Sequence, residues 1–121
     1  MAKTIMVVDD SASVRSVVGN TLREEGFEVL EAADGVDALN KLRGQKVHLI
    51  VTDVNMPHMN GIALVIEVKK LAAYKFTPIC MLTTEAGRNE MNAGKAAGAK
   101  AWMTKPFKPE KLLQVIDKLV A

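Results

Sequence analysis

The sequence predicts an α/β domain in which a parallel sheet carries helices on both faces. Three observations lead there. The runs Thr4-Ile5-Met6-Val7-Val8, Val47-His48-Leu49-Ile50-Val51-Thr52 and Ile79-Cys80-Met81-Leu82 are short and almost continuously apolar, the pattern of strands buried on both sides. A helix-period stretch follows each strand, so successive strands are joined by right-handed crossovers and run parallel. The strands also end in reactive polar residues: Asp9-Asp10, Asp53, Thr83-Thr84 and, ahead of Pro106, Lys105. In such sheets the working site lies beyond the carboxyl ends of the strands.

The first strand is Thr4–Val8. Ser11 or Ser13 caps the helix after it, whose apolar positions are Val14, Val17, Val18 and Leu22, and Gly26 stops it. Residues Phe27 to Leu30 form a second strand, and the alternation with Glu28 and Glu31 puts it at an edge. Asp34 caps a short helix that turns Ala38, Leu39 and Leu42 inward and ends at Gly44. The third strand leads to Asp53, and DVNMPHMNG then forms a loop from which Asn60 caps a helix with Leu64, Val65, Val68 and Leu71. Pro78 opens the fourth strand, Ile79 to Leu82, as proline can at a first strand position. The helix from about Arg88 to Ala97 is the weakest, with Gly94 in its middle at a cost of about 1 kcal/mol relative to Ala. It offers mainly Met91, Ala93, Ala96 and Ala97 for packing. Lys100 to Thr104 make a fifth strand around Trp102, and Pro109 starts a last helix with Leu112, Leu113, Ile116, Leu119 and Val120 on one side.

The chain has 121 residues, 49% hydrophobic and 25% charged, which fits one ordinary domain spanning 1–121. Its net charge of +2 is dispersed, which points away from nucleic acid. Cys80, the sole cysteine, lies inside an apolar run and reads as a buried, inert thiol. No apolar run reaches the ~18 residues of a membrane span and no leader is evident, so a cytoplasmic, monomeric protein is expected.

Asp9, Asp10 and Asp53 converging at one edge would bring three negative charges together, of which Lys105 offsets one. The remainder suits one divalent cation, and oxygen ligands with few protein donors favour Mg²⁺ over Ca²⁺. His48 and His58 are isolated, and zinc is not expected. A carboxylate beside Mg²⁺, a lysine and the Thr83 hydroxyl is arranged for phosphoryl transfer, in which the carboxylate attacks and becomes an acyl phosphate. The residues alone do not single out the nucleophile, although Asp53 has an open loop beside it and Asp9-Asp10 adjoin a helix start.

The motifs VVDD, DVNMPHMNG, MLTTE and KPF, in this order and at these strand ends, resemble the receiver domain of two-component response regulators over the whole chain. The resemblance implies a flavodoxin-like, CheY-like (βα)5 fold with strand order 2-1-3-4-5 and no output domain. It implies that Asp53 accepts a phosphoryl group from a histidine kinase. Asp10, Asp53 and the backbone carbonyl of Asn55 would bind Mg²⁺, with Asp9 helping through water. Thr83 and Lys105 match the family's phosphoryl-sensing residues, and Lys105-Pro106 would be cis. Trp102 stands where the family usually has Tyr or Phe as a rotating switch, and Asn55 and Glu85 fall where dephosphorylation is tuned. The stand-alone form resembles chemotaxis regulators of the CheY class, with a CheA-like kinase and a target bound by the face of the fourth helix, fifth strand and fifth helix. A phosphorelay intermediate or phosphate sink is the alternative within the family. Two rival classes fit less well: an aspartyl-phosphate hydrolase lacks its second acid, since Asp53-Val54-Asn55 is not DxD, and an electron carrier would need a phosphate cradle where the acidic pair stands.

Overall fold

Five strands pair side by side, all parallel, in the order β2-β1-β3-β4-β5. They are β1 (Thr4–Val8), β2 (Glu28–Ala32), β3 (Leu49–Asp53), β4 (Ile79–Thr83) and β5 (Ala101–Thr104). Between and after them run α1 (Ala12–Glu24), α2 (Gly35–Leu42), α3 (Gly61–Lys70), α4 (Arg88–Ala97) and α5 (Pro109–Val120), with a single 3₁₀ turn at Ala72–Tyr74. The protein is seen as a computed structural model that describes residues 2–83 and 88–120, without the side chains of 88–91.

The apolar runs split by strand alternation into two cores. Met6, Val8, Ile50, Ile79 and Met81 face α2 and α3, with Leu64, Val65 and Val68 closing over them. Ile5, Val7, Leu49, Val51, Cys80 and Leu82 face α1 and α5, which contribute Val18, Leu22, Leu112 and Ile116. Burial pushes the Cys80 thiol up to about 12, so it is an inert core residue. Strand β2 is the edge that its glutamates announced.

Local signals act as expected at the caps. Ser11 accepts the Val14 amide, Asp34 the Asp37 amide and Asn60 the Ala63 amide. Gly26, Gly44 and Gly98 take positive φ where helices end or the chain turns. The Lys105-Pro106 peptide is cis. Several details differ from the pattern. β2 and β3 start and end one or two residues later than the apolar runs, because pairing with β1 rather than hydrophobicity sets their limits. Val17 is 60% exposed, since the inward stripe of α1 runs through Val14, Val18 and Leu22 at a strict four-residue spacing. Leu71 lies past the end of α3 and is exposed. In α4, Ala93 and Ala96 face outward, and the helix turns Gly94 to the sheet instead. A Cβ there would stand 2.7 Å from the Trp102 ring and 2.9 Å from Met81 Sδ. The glycine that weakens the helix is thus the residue that lets it approach β5. Met91 lies outside the described side chains.

Gly61, at the start of α3, is the tightest point of the scaffold. A Cβ would come within 2.1 Å of the Asp53 carbonyl oxygen, and its amide donates to Val54 O at 2.8 Å. Backbone clashes of this kind cannot be relieved by a rotamer change. Gly61→Ala is expected to lower the unfolding free energy by roughly 1–3 kcal/mol in urea titration. An unchanged midpoint would show that the α3 start is not held against β3.

Candidate functional site

Strands β1, β3 and β5 deliver their last residues to one place. Asp9 is almost fully buried, and every polar group it has is engaged. Its Oδ2 lies 2.7 Å from Lys105 Nζ, and its Oδ1 accepts the Ser11 amide at 2.9 Å. Its carbonyl accepts Arg15 Nη1 at 2.6 Å, and its amide donates to Ala32 O at 3.1 Å. Arg15 also leans on Glu31, 3.4 Å away. Asp53 is 8% exposed. Its Oδ1 accepts the Val54 amide at 2.8 Å, and its Oδ2 stands 3.5 Å from Lys105 Nζ. Asp10 is exposed at the mouth.

Burial is the main force on the Asp53 carboxyl and pushes it above its usual range; Lys105 opposes this and the Asp9 charge reinforces it. Lys105 lies closer to Asp9 than to Asp53, so its charge goes first to the buried partner. Carboxylate oxygens of Asp9, Asp10 and Asp53 lie within 4.8 Å of one another. Opposite ligands of an octahedral Mg²⁺ are about 4.2 Å apart, so small side-chain shifts would close the cluster on one such ion. The donor set, all oxygen and rich in charge, fits a hard cation. Asp9, Asp10 and Asp53 are all within reach of such an ion.

The structure brings together Asp9, Asp10, Asp53 and Lys105. Thr83 is fully buried at the end of β4, one residue beyond the Asp53↔Leu82 pair, and its carbonyl accepts the Lys105 amide at 2.6 Å. Asn55 is exposed on the loop that follows β3. Trp102 is not at the cluster: it sits half-buried against Gly94 and Met81, and its Nε1 is buried without a partner among the described residues. Glu85 lies outside the described residues. Two supports had no sequence signal of their own. Arg15 fixes the Asp9 backbone from one turn into α1. The loop after Asp53 is strapped to the start of α2, where His58, at φ 66°, meets Asp34 Oδ2 at 2.9 Å and Met59 O accepts the Gly35 amide at 3.3 Å. The Asp37 amide, and then His58, hold the Asp34 carboxyl below its usual range.

A doubly covered parallel sheet with an acidic cluster and a lysine at its carboxyl edge defines a class, and sequence comparison names it. The pattern of the response regulator receiver domain matches residues 5–117, and the chain belongs to that family, whose members are phosphoacceptor signalling proteins rather than classical enzymes. Within the family it is similar to stand-alone CheY proteins. It is 41% identical to chemotaxis protein CheY1 of Helicobacter pylori over 115 residues, 93% of each chain. It is 39% identical to the chemotaxis protein CheY homolog of Campylobacter jejuni over 118 residues, 96% of this chain and 91% of that one. The structure of Vibrio cholerae chemotaxis protein CheY4 superposes with a TM-score of 0.95 at 44% identity, covering 98% of this chain and 99% of that one. Among the described residues no helix is long and apolar enough to cross a membrane.

The charge imbalance has a pH signature. A carboxyl whose folded value is raised destabilises the fold when ionised in both states, and this cost disappears once it is protonated in both. In EDTA, Asp53→Asn is therefore expected to be more stable than wild type near pH 7. The advantage should shrink as pH falls through the raised folded value toward the usual 3.8. Urea midpoints of both proteins across that range provide the check, and a gap that does not change with pH would contradict the assignment.

Proposed function

We propose that this chain is a phosphorylation switch in which Asp53 accepts a phosphoryl group from the phosphohistidine of a CheA-like kinase. The observation that carries this is the placement of Lys105 between Asp9 and Asp53 beside an acidic cluster that has room for one cation. Magnesium, when bound by Asp10, Asp53 and the Asn55 carbonyl, supplies charge screening for the transferred group. An Asp53 oxygen attacks phosphorus in line, the phosphorus–nitrogen bond to the imidazole breaks as the phosphorus–oxygen bond forms, and the imidazole leaves with the electron pair. The Lys105 ammonium holds one phosphoryl oxygen and the Thr83 hydroxyl donates to another. Buried Asp9 keeps Lys105 aimed. Asn55 and Glu85 tune hydrolysis of the acyl phosphate.

The readout is a population shift. Drawing Thr83 toward the phosphoryl group opens space behind β4, and Trp102 turns inward as α4 moves. The surface of α4, β5 and α5 then binds the downstream target. Low packing in α4 supports this, because Gly94 is its sole fully buried residue among those described. Relatives named as chemotaxis proteins support a role in chemotaxis.

The test is labelling with acetyl phosphate and Mg²⁺, followed by mass and by Trp102 fluorescence. Wild type should gain one phosphoryl group and change its emission, and Asp53→Ala should do neither. Label on Asp53→Ala, or label that persists undiminished in EDTA, would refute the assignment.

A further inference from the structure

Phe76 is 89% exposed, on the connection that leads from α3 into β4. One exposed apolar side chain is ordinary by itself, but this ring carries a lysine over its face and has other lysines nearby. One lysine lies over its ring, and two more lie near the residues that follow it. Lys75 stands 5.8 Å over its ring. Lys69 reaches from α3 to donate to Thr77 O at 2.6 Å, with its stem against Gly98. Lys100 leads into β5, its amide bonded to Ile79 O at 2.9 Å, and its charge acts on Lys69. Burial, reinforced by Lys100, lowers the Lys69 value. None of these three lysines is in an ion pair among the described residues, whereas neighbouring Lys70 is held by Glu67 at 3.2 Å.

The acidic cluster does not compensate them. It lies at the other end of five-residue strands, about 16 Å away, beyond the roughly 8 Å over which salt screens charge under physiological conditions. The acidic cluster and the lysines near Phe76 thus stand at opposite ends of β4.

We propose that this amino-terminal edge of the sheet, Phe76 with Lys69, Lys75 and Lys100, docks an acidic segment of another protein that sets carboxylates around an apolar side chain. An exposed aromatic anchor within a charged rim is the layout of an interface hot spot. A protein partner fits better than an anionic membrane. Lys69 is fixed by its bond to Thr77 and by Gly98, which suits a placed carboxylate, and one ring gives a bilayer too little apolar area to hold. The docking rests on none of the residues proposed for phosphotransfer, so either reading can fail without the other.

The test uses a short peptide of leucines flanked by glutamates, the same peptide with lysine for glutamate, and phosphatidylserine–phosphatidylcholine vesicles. Amide shifts in the full chain should concentrate at 69, 75–77 and 98–100 with the acidic peptide and be absent with the basic one. Phe76→Ser, and separately Lys75→Gln with Lys100→Gln, should each weaken binding about tenfold. Both variants should keep the wild-type melting temperature and Asp53 labelling. Shifts centred elsewhere, no binding of the acidic peptide, equal affinity in Phe76→Ser, or co-sedimentation with the vesicles would each overturn the proposal.

Discussion

One lysine serving two carboxylates is the constraint on which the rest depends. Lys105 lies 2.7 Å from Asp9 and 3.5 Å from Asp53, and both acids are buried. A buried charge is tolerated only when paired and hydrogen-bonded. Asp9 meets that condition through Lys105 and the Ser11 amide, one on each carboxylate oxygen. Asp53 meets it in part, with one amide and the farther side of the same ammonium. The arrangement therefore leaves Asp53 with its carboxyl raised and with a standing demand for positive charge, which a hard cation can meet.

Holding that edge open requires a stiff frame, and one wall is lightly packed. The frame is the sheet covered on both faces, with α3 locked so closely to β3 that Gly61 has no space for a side chain. The lightly packed wall is α4. It rests on the sheet through a glycine, and the Trp102 ring and Met81 fill the place of the missing Cβ. The indole Nε1 is buried with no partner among the described residues, an unfavourable state for a polar group.

Much of this could be read before any coordinates. Periodicity gave the alternation of elements, because each apolar run is too short for a helix and each is followed by a capped amphipathic stretch. The clustering of Asp9, Asp10, Asp53 and Lys105 followed from where parallel strands end. What stayed hidden was tertiary in origin. That Lys105 prefers Asp9 to Asp53 depends on side-chain reach across β1, β3 and β5. The pairing of Gly94 with Trp102 joins residues whose contact no local pattern encodes, and the glycine looked like a defect for that reason. The outward turn of Val17 and the strap between His58 and Asp34 likewise depend on how whole elements sit. Nothing in the local pattern around Phe76 shows its exposure, which comes from where the connection into β4 runs.

Calorimetric titration of Mg²⁺ into the metal-free protein tests most directly whether the carboxyl edge is short of positive charge. One ion should bind per chain, raising the melting temperature as its concentration rises, and Asp10→Asn should weaken binding at least about tenfold by removing a ligand that has no other partner among the described residues. Failure of the wild-type chain to bind Mg²⁺, or equal affinity in Asp10→Asn, would contradict the account.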